Sequence, residues 1–272
     1  MAVDPHWERE FNPRLSVPDA PALYADWPVR AAGTRARRPP ETVAYGTHPR
    51  EAIDIFRAPD ARGALLFFHG GYWRAFSKED FSWVADGFVD QGLTVAVAGY
   101  PLCPDVTLAR LCESARAAAE ALWRDHLSPS ERARFVVSGH SAGGYLTALM
   151  LATDWTARGL PVSPFAAALS VSGVFDLTHF VETSMNEVVG LSPSDAAALS
   201  LTTSAVRAPC RLVLAVGAEE SAEFHRQSEG LARAWADLAP EVVDLAGRNH
   251  FTILEDLVSP GGPLNRRVTA AP

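Results

Sequence analysis

Cysteine is scarce in this chain. Three thiols, Cys103, Cys112 and Cys210, occur in 272 residues, an odd number without CxxC spacing. Such a set excludes a disulfide framework or a zinc knuckle and fits buried free thiols in a reducing compartment. Long apolar runs are also missing, since none approaches the ~18–20 residues of a membrane span. Residues 1–10 carry Asp4, Glu8, Arg9 and Glu10 without an apolar stretch, so no secretory signal is expected and the expected location is cytoplasmic. Positive charge is in deficit, with 24 Lys+Arg against 32 Asp+Glu and a net charge of −8. That balance excludes a surface built to neutralise nucleic-acid phosphates or anionic lipid, which leaves a small molecule as the expected partner. A homodimer is left open. The one cationic run, Arg30, Arg35, Arg37 and Arg38, is interrupted by Gly33 and stops at Pro39-Pro40, and it reads as a solvated connecting loop. No His/Asp/Glu cluster has the spacing of a catalytic zinc site such as H-E-x-x-H, so neither a metal nor any other cofactor is expected.

What is present is a chain of ordinary globular composition, 48% hydrophobic and 21% charged, long enough for one large α/β domain over residues 1–272. After an N-terminal arm of about forty residues (1–40) rich in Pro, Arg and Trp, strand-length apolar runs follow at Ala52–Phe56, Ala64–Phe68, Leu93–Ala98, Phe135–Ser138, Ala167–Val171, Leu212–Val216 and Val242–Leu245. Helix-period segments lie between several of them, at Phe81–Gln91, Leu108–Trp123, Ala142–Ala152 and Ala222–Leu238, with a short one from Phe251. Ser77-Lys78-Glu79-Asp80 offers a capping-box-like start to the first helix. Alternation of this kind predicts a mostly parallel central sheet with helices on both faces. The stretch 176–208 breaks the pattern, reads as short helices, and is the candidate cap insertion.

Gly139-His140-Ser141-Ala142-Gly143 is a G-x-S-x-G placed directly after a predicted strand and directly before a predicted helix. This is the setting of a nucleophile elbow, in which a sharp turn exposes the serine and the following helix aims its positive end at a developing oxyanion. About seventy residues earlier, His69-Gly70-Gly71-Tyr72-Trp73 ends another apolar strand. Its glycines let backbone N–H groups approach a substrate oxygen, so Gly70, Gly71 and Ala142 are the candidate oxyanion donors. The base should be a late histidine. His225 falls inside a helical pattern, whereas His250 sits in a loop after the last predicted strand and is preferred; His140 and His179 need no catalytic role. The acid belongs in the loop after the penultimate strand, where Glu219 and Glu220 both qualify, with Asp176 as the alternative position. Tyr72, Trp73 and Phe76, beside the glycines, could wall an aromatic pocket.

With the His69–Trp73 run, Gly139–Gly144, Ser221–Ser228 and Asn249-His250-Phe251 in view, the chain resembles the kynurenine formamidase (arylformamidase) family of α/β-hydrolases, from about Phe11 to Asp256. The resemblance implies the α/β-hydrolase fold and hydrolysis of an N-formyl arylamine to formate and free amine. It puts the acid on Glu220, a departure from the aspartate common in that family, so the backbone there should sit slightly further back. A general small-acyl carboxylesterase is the alternative expectation, and a non-catalytic ligand-binding member of the fold is a third.

Overall fold

Alternate side chains along the central strands sort into two separate apolar cores. In the computed structural model, which describes residues 2–271, Leu65, Phe67, Val95, Val97 and Val136 pack on one side of the sheet, and Leu66, Phe68, Ala96, Ala98 and Val137 on the other. A strand turns successive side chains to opposite faces, so only a sheet covered on both sides can use such unbroken apolar runs. The sheet has eight strands: β1 (Glu41–Ala44), β2 (Ala52–Phe56), β3 (Gly63–Phe68), β4 (Leu93–Ala98), β5 (Phe135–His140), β6 (Ala167–Val171), β7 (Arg211–Gly217) and β8 (Glu241–Leu245). Their order is β1-β2-β4-β3-β5-β6-β7-β8, with β1 and β2 antiparallel additions to a parallel run from β4 to β8. Helices Leu108–Ala121, Ala142–Leu151 and Ala222–Ala234 cover one face. The other is covered by Ala20–Arg37, Ile253–Val258, Pro263–Thr269 and the tighter 3₁₀ segment Glu79–Gly87. This is the α/β-hydrolase architecture.

The differences from the sequence reading have local causes. β1 carries no apolar signal because it is a mostly exposed edge strand. The 3₁₀ segment begins with Asp80 accepting from both the N–H and the hydroxyl of Ser77, so the acid end of the expected capping box forms while the serine end does not. The arginine run is not a solvated loop. It belongs to the helix Ala20–Arg37 and its C-cap, and each guanidinium is tied down: Arg30 to Glu255 at 2.5 Å, Arg35 to the fully buried Asp54 at 2.5 Å, Arg37 to Asp86 at 2.7 Å, and Arg38 to Asp90 and Asp86. Trp27 and Ala31 provide the apolar side of the same helix, which is why it is held on the body. Regular structure therefore starts at Pro5, with a first helix Pro5–Phe11. Between β6 and β7 the chain makes short helical segments at Phe180–Glu182, Asn186–Val189, Pro193–Leu199 and Leu201–Thr203. No helix is long and apolar enough to cross a membrane among the described residues.

Candidate active site

The turn from β5 into the helix Ala142–Leu151 holds Ser141 at φ 57°, ψ −117°, a conformation costing roughly 1–3 kcal/mol that persists only where the surroundings impose it. Here they do. The Ser141 N–H donates to the Val171 carbonyl at 2.8 Å, and the flanking glycines are in close contact with backbone. A Cβ on Gly143 would lie 1.9 Å from the Phe68 carbonyl oxygen, and one on Gly139 would lie 2.2 Å from the Gly143 carbonyl oxygen. The elbow is thus wedged against the end of β3, which brings the Gly70-Gly71 turn beside it. Ala142 opens the helix, so its N–H has no intrahelical acceptor and is free to donate elsewhere.

His250 and Glu220 meet across the ends of β7 and β8. His250 Nδ1 lies 2.6 Å from one Glu220 carboxylate oxygen, with the two side chains only 3% and 0% exposed. The other oxygen accepts from the Ser172 hydroxyl at 2.6 Å and the Gly217 N–H at 2.7 Å. The loops carrying acid and histidine are themselves joined, by Ala218 N–H to the Leu245 carbonyl and Glu219 N–H to the Arg248 carbonyl, each at 3.0 Å. Of the three carboxylates open in the sequence, Glu220 is the one in contact with the histidine. Glu219 is exposed, and Asp176 is bound by Arg226 at 3.2 Å and caps the Thr178 N–H.

His140 does have a place in this network. Its Nε2 donates to the His250 carbonyl at 2.7 Å, and burial, with His250 close by, holds its pKa well below the usual histidine value, so the ring is neutral with the proton on Nε2. His69 is likewise kept neutral by burial, its pKa lowered to about 4. Its ring stacks on Tyr100, whose hydroxyl donates to the His69 carbonyl at 2.6 Å. His225 and His179 lie elsewhere, near Asp244 and stacked on Trp7 respectively.

Ser141, His250, Gly70 and Gly71 open onto one cavity of about 330 Å³, within the range that small-molecule sites occupy. Its aromatic wall consists of Tyr24, Trp27, Tyr72, Phe76 and Phe251. Tyr24 is central to that wall, with its ring 5.5 Å from Phe76 and 5.0 Å from Phe251. Trp73 is not part of it. The backbone is left-handed at both Tyr72 and Trp73, with φ 48° and 55°, and Trp73 turns into the core, fully buried against Tyr145 and Phe180. Tyr72 stays at the cavity and donates its hydroxyl to the Phe11 carbonyl. The N-terminal residues Asn12, Pro13, Arg14, Tyr24 and Trp27 line the cavity although nothing in their own sequence marks them, and Met185 and Val188 reach it from the segment after β6. Ser172, held at φ 51°, was equally invisible, because only the pairing of β6 with β7 sets it beside Glu220.

Residues 65–252 match a family model described as alpha/beta hydrolase fold. A kynurenine formamidase from Danio rerio is 31% identical over 91% of this chain and 87% of its own length, and one from Salmo salar is 29% identical over 92% and 90%. Among solved structures, a Silicibacter protein provisionally named a thioesterase superposes with a TM-score of 0.83 at 28% identity, covering 92% of this chain and 94% of its own. A serine on a strained elbow, a buried histidine–carboxylate contact and a sheet of this topology accompany that relatedness, and the chain accordingly belongs to the kynurenine formamidase family of α/β hydrolases.

Proposed function

We propose that the chain hydrolyses an N-formyl arylamine to formate and the free amine through an acyl-enzyme on Ser141, with His250 as base and Glu220 as its partner. The observation that carries this reading is the buried His250–Glu220 contact opening onto the same cavity as the strained Ser141. Glu220 accepts at Nδ1 and leaves Nε2 of His250 bare, the nitrogen that takes the serine proton as Oγ attacks the formyl carbon. The oxygen of the tetrahedral intermediate is received by N–H groups of Gly70, Gly71 and Ala142. Collapse breaks the C–N bond, and His250 returns the proton to the nitrogen, without which an arylamine leaves poorly. Water then attacks the formyl ester with His250 again as base, releasing formate and restoring Ser141. The aromatic wall suits a flat leaving group, and the names of the relatives support a formyl amide as the bond cleaved.

The test is an acyl series on one amine, formanilide, acetanilide and butyranilide, with Ser141→Ala as the control. The expected outcome is kcat/KM falling with chain length by clash, on a scale of about 1–3 kcal/mol, and a loss of at least about a thousandfold in Ser141→Ala. Equal or rising rates with longer acyl groups would make the chain a general carboxylesterase. Near-native turnover without the Ser141 hydroxyl would remove the acyl-enzyme.

A further inference from the structure

The cavity wall carries charge of one sign. Among the described residues, Arg14 and Arg74 are the lining residues with a permanent charge, and none of those lining it is Asp or Glu. This is contrary to the chain as a whole, whose net charge is −8. The two cations arrive from different parts of the sequence. Arg74 follows the Gly70-Gly71 turn and its N–H donates to the Gly71 carbonyl at 3.1 Å. Arg14 comes from the N-terminal segment and is held by Tyr24 of the aromatic wall: its Nε donates to the phenol oxygen at 3.2 Å, and its guanidinium carbon lies 4.7 Å from the ring centroid. That contact uses one donor edge of the guanidinium and leaves its terminal nitrogens available. Arg30, Arg35, Arg37 and Arg38 contrast with this pair, since all four are in ion-pair contact with carboxylates of the fold, whereas the nearest carboxylate influence on Arg74 is the longer-range one of Glu8, whose pKa it helps to lower.

We infer that Arg14 and Arg74 together form the specificity element for an anionic substituent, a carboxylate, on the aromatic leaving group of the substrate. The inference rests on the formamidase reading in one respect: a formyl group has only hydrogen beyond its carbonyl, so a charged substituent can lie only on the amine side. Two arginines among the residues lining an apolar slot would orient a flat ring, the aromatic wall taking the faces and the arginines the carboxylate through charge-assisted hydrogen bonds. Binding energy of this kind is remote from the reacting bond and is felt equally in ground and transition states, so it lowers KM.

The experiment compares N-formylanthranilate and 4-formamidobenzoate with formanilide, in the wild type, Arg14→Gln, Arg74→Gln, the double variant and the two Arg→Lys variants. The readout is the ratio of kcat/KM for each carboxylate substrate to that for formanilide. The expected result is a wild-type ratio of about tenfold or more for the better carboxylate isomer, since hydrogen bonds to charged groups are the strong ones. It should fall toward one in the double glutamine variant, with the loss in KM rather than kcat, and be partly retained by lysine. The ratio should also shrink with added salt. A wild-type ratio near one for both isomers, or a ratio preserved in the double variant, overturns the inference. The same comparison on 4-carboxyphenyl acetate against phenyl acetate separates it from the formamide reading. An arginine-dependent preference there with no formanilide turnover leaves the anion element standing and refutes the formamidase, whereas formanilide turnover with no carboxylate preference does the reverse.

Discussion

Replacing Glu220 by glutamine separates charge and tautomer from shape. In the native arrangement the Ser172 hydroxyl and the Gly217 N–H, at 2.6 and 2.7 Å, both point at one carboxylate oxygen, while the other faces His250 Nδ1 at 2.6 Å. A glutamine amide has one accepting atom, and two donors already converge on the first position. The NH₂ group is therefore left facing Nδ1, and because it can only donate, His250 must take the tautomer with its proton on Nε2. In the proposed mechanism that is the nitrogen that has to be bare to accept the Ser141 proton. The imidazolium of the proposed mechanism would also lose its counter-charge in a pair that is 3% and 0% exposed. In a Ser-His-Asp triad the equivalent change costs about 10⁴ in kcat, so we expect about 10³–10⁴ here, or ~4–5.5 kcal/mol at ~1.4 kcal/mol per decade. The assay is kcat on formanilide together with the rate of fluorophosphonate labelling of Ser141, with circular dichroism to verify the fold. Glu219→Gln and Asp176→Asn, on an exposed side chain and on an Arg226 partner, should each cost under about tenfold. A Glu220→Gln enzyme within about tenfold of wild type, or a larger loss in Asp176→Asn, would refute the reasoning.

Trp73→Ala should lower the free energy of unfolding by about 3–5 kcal/mol, as for other large aromatics removed from a core, while leaving the ratio of aryl to alkyl substrate rates unchanged; urea titration and paired kinetics check both halves, and a changed ratio would return Trp73 to the pocket. Stability should decline with acid. His69 has its pKa lowered from 6.5 to about 4 and His140 well below 6.5, so below pH 6.5 the unfolded chain takes up protons that the folded chain refuses. The contribution is complete above about pH 6.5, and His69 alone should account for about 2 kcal/mol lost by pH 5; unfolding free energies that stay flat from pH 7.5 to 5 would contradict neutral buried imidazoles. Activity should survive prolonged EDTA treatment, and a loss restored by zinc would overturn the serine chemistry.

How much of this protein lies in its sequence is clearest from the residues that were and were not visible there. Three strands were legible to the residue, antiparallel Ala52–Phe56 and parallel Leu93–Ala98 and Ala167–Val171, because a strand buried on both faces is mostly apolar, with only single polar residues such as Asp54, Thr94 and Ser170 within it. The elbow was legible because its glycines flank the serine at a fixed local spacing, although the contact that requires Gly143 is with the Phe68 carbonyl of β3. An edge strand such as Glu41–Ala44 has no buried face to write into its composition, and a helix such as Ala20–Arg37 shows its anchors only when Asp54, Asp86 and Asp90 are in place. The choice of Glu220 over Glu219 and Asp176 depended on which carboxylate the joined loops after β7 and β8 turn toward His250. Trp73 looked like a pocket wall beside Gly71 until left-handed backbone sent it into the core. Arg14, Tyr24 and Trp27 became cavity residues only because the N-terminal segment folds back over the elbow. Sequence by itself determined what depends on neighbours along the chain: strand burial, glycine at a tight turn, the serine between them. Tertiary structure alone decided what depends on neighbours across space, since the partner of a buried charge and the face of an aromatic ring are set by segments that are not adjacent along the chain, 19 residues apart for Arg35 and Asp54, 30 for Glu220 and His250 and 225 for Arg30 and Glu255.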